Sequence, residues 1–311
     1  MKVSIIIVTW NSAQFMQGCL TSIKKQSYKN WELIVVDNGS KDKTLDIVKE
    51  IYPGARIIKN NDNLGFCRAN NQGIAIAQGD YILTLNSDVN LHTDYIKELI
   101  LAAENQPEEI GMLGGKMIRM DKQTIDSAGL ILSKSRRFYD RGGGEIDEGQ
   151  YDDQSEVFGI CAGAALYKSK MLEEIKVEGH FFDEDFFSFA EDFDVAWRAQ
   201  LYGWRAAYIP QAQCLHLRGG SEPQSKYKQY LSFKNRYLLM LKNDSLINVF
   251  LAFPWLLIYD TARFFYLLFT NTLLFKAIWE ITRLLPTMLR RRKIILSHQK
   301  VSNQYIRSWL R

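Results

Sequence analysis

Two hydrophobic periods alternate along the first 110 residues. Val3–Thr9 is a continuous, mostly β-branched run, the pattern of a strand buried on both faces. Phe15, Cys19, Leu20 and Ile23 then recur at helical spacing, with Asn11 or Ser12 placed to cap the helix. The alternation continues with strand patterns over residues 31–36, 56–58 and 81–85 and helical patterns over 45–51 and 66–77. It predicts an α/β fold, with a mostly parallel sheet, right-handed crossovers and flanking helices. Ligands of such sheets bind beyond the carboxyl ends of the strands. Thr9, Asn11, Asp37, Asn38, Asn86 and Asp88 all fall there.

Residues 111–180 are less regular, and Gly142-Gly143-Gly144 with its neighbouring acids reads as a mobile loop over the site. A helix is expected over 190–202, closed by Gly203, with a strand over 205–209. From Leu246 the texture changes to apolar, aromatic-rich runs interrupted by Asp260 and Arg263, neither reaching the roughly 20 residues of a spanning helix. This marks a body over 1–245 and a helical tail over 246–311.

Charge sharpens that division. The 311 residues carry a net +4, but the tail holds ten Lys/Arg against two Asp/Glu, leaving about −4 on the body. An acidic body with a basic, aromatic tail is not a nucleic-acid-binding pattern. It fits amphipathic helices lying on an anionic membrane surface; the alternatives are a hairpin packed on the body or a homodimer interface. Cys19, Cys67, Cys161 and Cys214 are scattered, as expected of small buried thiols in a reducing compartment. No signal-peptide pattern precedes Val3, so the body is expected in the cytoplasm, peripheral on the inner face of the cell membrane.

The chemistry is densest at Phe189-Ala190-Glu191-Asp192-Phe193-Asp194, where three carboxylates crowd between aromatic residues at a helix start. Clustered acids cost free energy to desolvate, so they point to a job, although Glu191 and Asp192 would also complement a helix dipole. Asp194 and Arg198, spaced i, i+4, read as an ion pair. Phe181, Phe182, Phe186, Phe187 and Phe189 read as core and site wall, and Cys161-Ala162-Gly163-Ala164-Ala165 offers small residues for a close backbone approach.

Val3 to Asn11, Val35-Val36-Asp37-Asn38-Gly39-Ser40, Asn63-Leu64-Gly65-Phe66, Asn86-Ser87-Asp88, Phe181 to Phe187, Glu191-Asp192 and His216 to Ser221 together resemble family 2 glycosyltransferases of the GT-A fold. Within that family they are most similar to the rhamnosyltransferase-like branch that builds bacterial cell-surface polysaccharides. The resemblance covers about 220 of the 311 residues. It implies a nucleoside diphosphate sugar donor, with Thr9, Asn11 and Asp37 on the pyrimidine nucleoside and Asn63, Gly65 and Asn71 in a loop close to the nucleotide. Asp88 and His216 would hold Mn²⁺ or Mg²⁺, with Asn86 on a ribose or phosphate oxygen. Asp192 would be the base of an inverting transfer, ionised by its helix N-terminus, and Glu191 would bond the acceptor.

The tail adds a polyprenyl-diphosphate-linked glycan as the expected acceptor, with dTDP-rhamnose favoured as donor and UDP-hexoses next. A processive synthase should carry true membrane spans and a Gln-x-x-Arg-Trp signature, and no Arg-Trp pair occurs. A nucleotidyltransferase should have a Gly-rich loop where Thr9-Trp10-Asn11 stands. The change from the usual Asp-x-Asp to Asn86-Ser87-Asp88 keeps open a catalytically inactive sugar-nucleotide-binding or assembly subunit.

Overall fold

The computed structural model describes residues 1–153, 155–218 and 225–311. The motif residues Gly219, Gly220 and Ser221 lie outside the described residues.

The amino-terminal alternation folds as its periodicity predicts. Strands β1 (Val3–Thr9), β2 (Trp31–Asp37), β3 (Arg56–Lys59) and β4 (Tyr81–Asn86) alternate with helices α1 (Ala13–Lys24), α2 (Thr44–Ile51) and α3 (Gly65–Ile76). These strands run parallel in the order β3-β2-β1-β4. Ile6 faces one core layer while Val3, Ile5 and Ile7 face the other, which explains the unbroken apolar run.

The next stretch is more regular than its sequence suggests. It contains β5 (Val89–Leu91), α4 (Tyr95–Asn105), β6 (Ile110–Arg119), β7 (Ile125–Ser127), β8 (Leu130–Leu132), β9 (Phe138–Asp140), β10 (Glu156–Val157), β11 (Ala164–Lys168) and α5 (Ser169–Ile175). Strand β11 lies antiparallel between β4 and β6, so the sheet is mixed. Next come α6 (Glu191–Leu201) and β12 (Arg205–His216), the latter parallel to β6 and seven residues longer than expected, with an irregularity between Ile209 and Gln213. The glycine run at 142–144 is not a free loop. Gly144 N donates to Ile125 O at 2.9 Å and Arg141 N to Gly129 O at 2.7 Å, folding it into a pinned turn.

Four helices follow, α7 (Ser225–Asn243), α8 (Leu246–Thr270), α9 (Leu273–Ser297) and α10 (Asn303–Ser308). Leu284, Met288 and Ile295 of α9 and Ile306 of α10 enter the same core as α6, so that core continues past residue 245. The basic residues of α9 are correspondingly engaged. Arg290 and Arg291 pair with Glu178 at 2.5 and 2.9 Å, and Arg291 also reaches Asp183 and Asp185, both at 2.7 Å.

Helix α8 corrects the reading of two broken runs. It is one 25-residue helix, long and apolar enough by length and composition to cross a membrane. Asp260 and Arg263 do not interrupt it because both turn toward α7, where Asp260 pairs with Arg236 at 2.5 Å and Arg263 donates to Ser232 Oγ at 3.0 Å. Its other face is bare, with Phe250 75% and Phe269 82% exposed.

Candidate active site

Register brings the first group of candidates together. Thr9 pairs with Asp37, and Val8 with Asn86, so all three polar residues sit at the carboxyl edge of the sheet. Thr9 Oγ1 is buried with no hydrogen-bond partner among the described residues. Asn11, at φ +49°, ties the first and second loops together: its N donates to Ser40 Oγ at 2.9 Å and its Oδ1 accepts from Lys41 N at 2.8 Å. The Asp37 side chain is buried beneath this turn and accepts from Ser40 N at 3.3 Å, a long bond that a ligand can replace.

The loop before α3 packs against Phe187. Asn63 Oδ1 accepts from Gly65 N at 2.9 Å. Gly65, at φ +84°, is required because a Cβ there would lie 2.5 Å from Phe187 Cδ2, so the close approach is by Phe187. Asn71 is tied to the segment before α6. Its Nδ2 donates to Phe182 O at 2.8 Å and its Oδ1 accepts from Phe182 N at 2.9 Å, making it a strut.

Three strands converge on the second group. β5 pairs with the end of β12, placing His216 opposite Val89, and β7 folds against β6 beside them. His216 Nε2 lies 3.4 Å from Asp88 Oδ1, and His216 Nδ1 bonds Asp126 Oδ2 at 2.6 Å. Arg218 Nη1 bonds the other Asp126 oxygen at 2.6 Å and its Nη2 lies 3.3 Å from Asp140. Burial works to lower the His216 pKa, but Asp126 and Asp88 outweigh it and push it up to about 9. Burial works to raise Asp126, yet His216 and Arg218 hold it below the ordinary range.

The described residues contain no cluster of three or more His, Cys, Asp or Glu able to hold a metal. The Asp88 and His216 donors do fit a divalent ion that draws its remaining ligands from a diphosphate. Asp126 on Nδ1 is the carboxylate that commonly orients a metal-bound imidazole. Asp126 and Arg218 were not singled out by sequence reasoning. Arg218 lies two residues beyond His216, whereas nothing local marked Asp126.

The third group lies at the start of α6. Asp192 Oδ2 accepts from Ala162 N at 3.4 Å, while the adjoining Gly163 carbonyl accepts from Asn86 N at 2.9 Å. The small-residue stretch therefore lies between Asp192 and the Asn86-Ser87-Asp88 turn. Burial and then the Asp140 charge raise the Asp192 pKa. Burial and then Asp192 raise that of Glu191, whose Oε2 is buried with no hydrogen-bond partner among the described residues. The helix N-terminus thus does not keep Asp192 an ordinary ionised acid; desolvation outweighs the dipole.

Asp194 belongs elsewhere. It bonds Arg198 at 2.8 Å, Lys242 at 2.9 Å and Asn243 at 2.8 Å inside the core.

The family described as Glycosyl transferase family 2 matches residues 4–176, more than half of the chain. The chain belongs to glycosyl transferase family 2. It is 25% identical over 220 residues to poly-beta-1,6-N-acetyl-D-glucosamine synthase of Staphylococcus aureus strain COL, covering 68% of this chain and 49% of that protein. It is 29% identical over 183 residues to glycosyltransferase GlyA of Streptococcus pneumoniae serotype 4, covering 57% of this chain and 26% of that one. This transferase thus spans about half the length, or less, of these curated relatives.

Solved structures place its fold among GT-A enzymes. S. aureus TarS 1–349 in complex with UDP aligns at TM-score 0.61 and 16% identity, over 99% of this chain and 92% of that one. A Pyrobaculum calidifontis mannosyltransferase in complex with GDP-Man and Mn²⁺ aligns at TM-score 0.57 and 15% identity, over 96% and 85%.

Proposed function

We propose that this transferase moves a sugar, with inversion, from a nucleoside diphosphate to a hydroxyl of a lipid-linked glycan in cell-surface polysaccharide synthesis. The observation that carries the reading is the link from Asp192 through Ala162 and Gly163 to Asn86, two residues before the Asp88–His216 pair. A proton acceptor and a place for a diphosphate then share one groove.

Thr9, Asn11 and Asp37 take the nucleoside, Asn63 and Gly65 border it, and Asn86 meets a ribose or phosphate oxygen. Asp88 and His216 hold Mn²⁺ or Mg²⁺, which when bound neutralises charge on the diphosphate. Asp192 accepts the acceptor hydroxyl proton as that oxygen bonds the anomeric carbon. The bond from that carbon to the diphosphate breaks, and its electron pair leaves with the diphosphate. A raised pKa makes Asp192 a stronger base than an ordinary carboxylate, and Glu191 beside it orients the acceptor.

The bare faces of α8 and α9 supply the membrane contact. Trp255 and Trp279, with Lys134 and Arg283 over their rings at 5.6 and 5.1 Å, give the aromatic and basic rim of a surface-bound helix. Because mid-α8 is tied to α7 through Asp260, α8 lies along the surface with the body attached. Lipid, and not a second copy of the chain, is the occupant assigned to this face.

dTDP-rhamnose is the first donor assigned, on the motif resemblance. UDP-N-acetylglucosamine is the second, favoured by the name of the S. aureus synthases. Calorimetric titration with each, in Mn²⁺ and in EDTA, tests the reading. Metal-dependent binding of one donor supports it, and its transfer to a lipid-linked acceptor identifies the sugar. Donor binding without transfer would instead favour the inactive sugar-nucleotide-binding subunit, and a folded protein that binds neither donor would overturn both donor assignments.

A further inference from the structure

The backbone that delivers Asp192 is unusual. Phe187, Phe189 and Ala190 have φ of +66°, +69° and +66°, and none is glycine. L-residues adopt this left-handed region only when their surroundings enforce it. The run leads directly into Glu191 and Asp192, so its shape sets where α6 begins and where both carboxylates emerge.

One side chain meets this run at several points. Asn235 of α7 is wholly buried, and its Nδ2 lies 3.0 Å from Phe186 O, 2.8 Å from Ser188 O and 2.7 Å from Phe189 O. All three neighbours are acceptors, which fixes the amide orientation, and two hydrogens are shared among them. The neighbouring Lys234 Nζ donates to Asp185 O at 2.8 Å, and Cys67 N of α3 donates to Phe187 O at 3.1 Å. The run is therefore tied to both the first turn of α3 and α7, with Asn235 as its principal clamp.

We propose that Asn235 is a positioning residue for transfer: by holding the carbonyls of Phe186, Ser188 and Phe189 it fixes the left-handed run that aims Asp192 at the acceptor. The inference rests on the reading of Asp192 as the base. Asn235 touches neither substrate nor metal in this arrangement. Its loss should therefore leave donor affinity intact and reduce the rate of the bound complex.

The test uses Asn235→Asp, which keeps the shape and removes both donors, in the full-length chain. Expected are a kcat at least tenfold lower, a donor Kd within twofold of wild type and a folded circular-dichroism spectrum. Adding Ala190→Gly, which relieves the cost of a left-handed residue, should then recover at least half of the lost logarithm of kcat. A purely structural role would not show this split or this recovery.

Unchanged kcat overturns the proposal. So does a parallel fall in kcat, donor affinity and melting temperature that Ala190→Gly does not repair, and so does failure of both variants to fold. Asp192→Asn separates the two readings. If it stays active, the base assignment fails; if it is inactive while Asn235→Asp is normal, only the positioning role fails.

Discussion

The first turn of α6 sends carboxylates into two regions that treat them in opposite ways. Asp194 points into the core and meets Arg198, Lys242 and Asn243, and these partners outweigh burial to lower its pKa. Asp192, two residues earlier, meets Ala162 N, and there burial and Asp140 raise its pKa, and Glu191 is raised beside it. Because the helix start is common to both, its dipole cannot explain the difference. Compensating cations favour the ionised form of one carboxylate and make it scaffold, while burial beside a like charge gives the other an affinity for protons.

Removing each carboxylate tests that contrast. Asp192→Asn is expected to lower kcat about 10²- to 10⁴-fold with donor Kd unchanged, read by steady-state kinetics and calorimetry. A parallel loss of donor binding would move Asp192 to the scaffold. Asp194→Ala is expected to act through stability. Leaving Arg198 buried without its carboxylate, while Lys242 keeps Asp183 at 2.6 Å, costs about 3–5 kcal/mol, measured by urea unfolding. A loss below about 1 kcal/mol would show that those cations do not depend on Asp194.

How much of this was legible follows the reach of each interaction. The β1–β4 rim was readable because period and strand-end position are local. Glu191 and Asp192 stood out by their crowding, but the direction of their pKa did not, because Asp140 arrives from another strand. Asp126 was invisible for the same reason: its partner His216 is 90 positions away and is brought near by β7 and β12. The bracing of Phe182 by Asn71 was not legible either, since the two lie 111 positions apart. In α8, Asp260 and Arg263 looked like breaks because α7, which satisfies them, cannot be seen from α8 alone.

The metal corner offers an intermediate case, with carboxylates on both sides of one imidazole. Asp126→Asn should weaken Mn²⁺ binding in the presence of UDP by about 10- to 100-fold, followed by electron paramagnetic resonance of free Mn²⁺. An affinity equal to wild type would remove Asp126 from the orientation of His216.

A smaller effect separates the two α6 regions by pH. Unfolded carboxylates ionise near pH 4, whereas Glu191 and Asp192 hold their protons to higher pH when folded. The folded state then binds more protons than the unfolded chain, so their contribution to stability falls as pH rises above about 4. Asp194 has the opposite sign: its contribution is present above about pH 4 and is lost as pH falls through its lowered folded value. Asp192→Asn should therefore flatten the decline in stability on the alkaline side, and Asp194→Asn the decline on the acid side. The acid limb of kcat should also lie above the ordinary carboxylate range. Stability curves with the same pH dependence in both variants would contradict the contrast.

The smallest expected effect lies on the outer surface of α8. Deleting residues 246–311 would be a poor test of membrane contact, because it strips Arg291 from Asp183 and Asp185 and removes α9 and α10 from the core. Phe250→Ser is cleaner, since that ring is 75% exposed and α8 keeps its ties to α7. Losing one aromatic contact with lipid should cost about 1 kcal/mol, roughly a fivefold loss of partition onto anionic vesicles. Melting temperature and donor affinity should not change, because Phe250 contributes to neither core nor groove. Equal vesicle binding by Phe250→Ser and by a Phe250→Ser, Trp255→Ser, Phe269→Ser triple variant would mean that lipid does not cover this face. A change from dimer to monomer in the triple variant would instead assign it to a second copy of the chain.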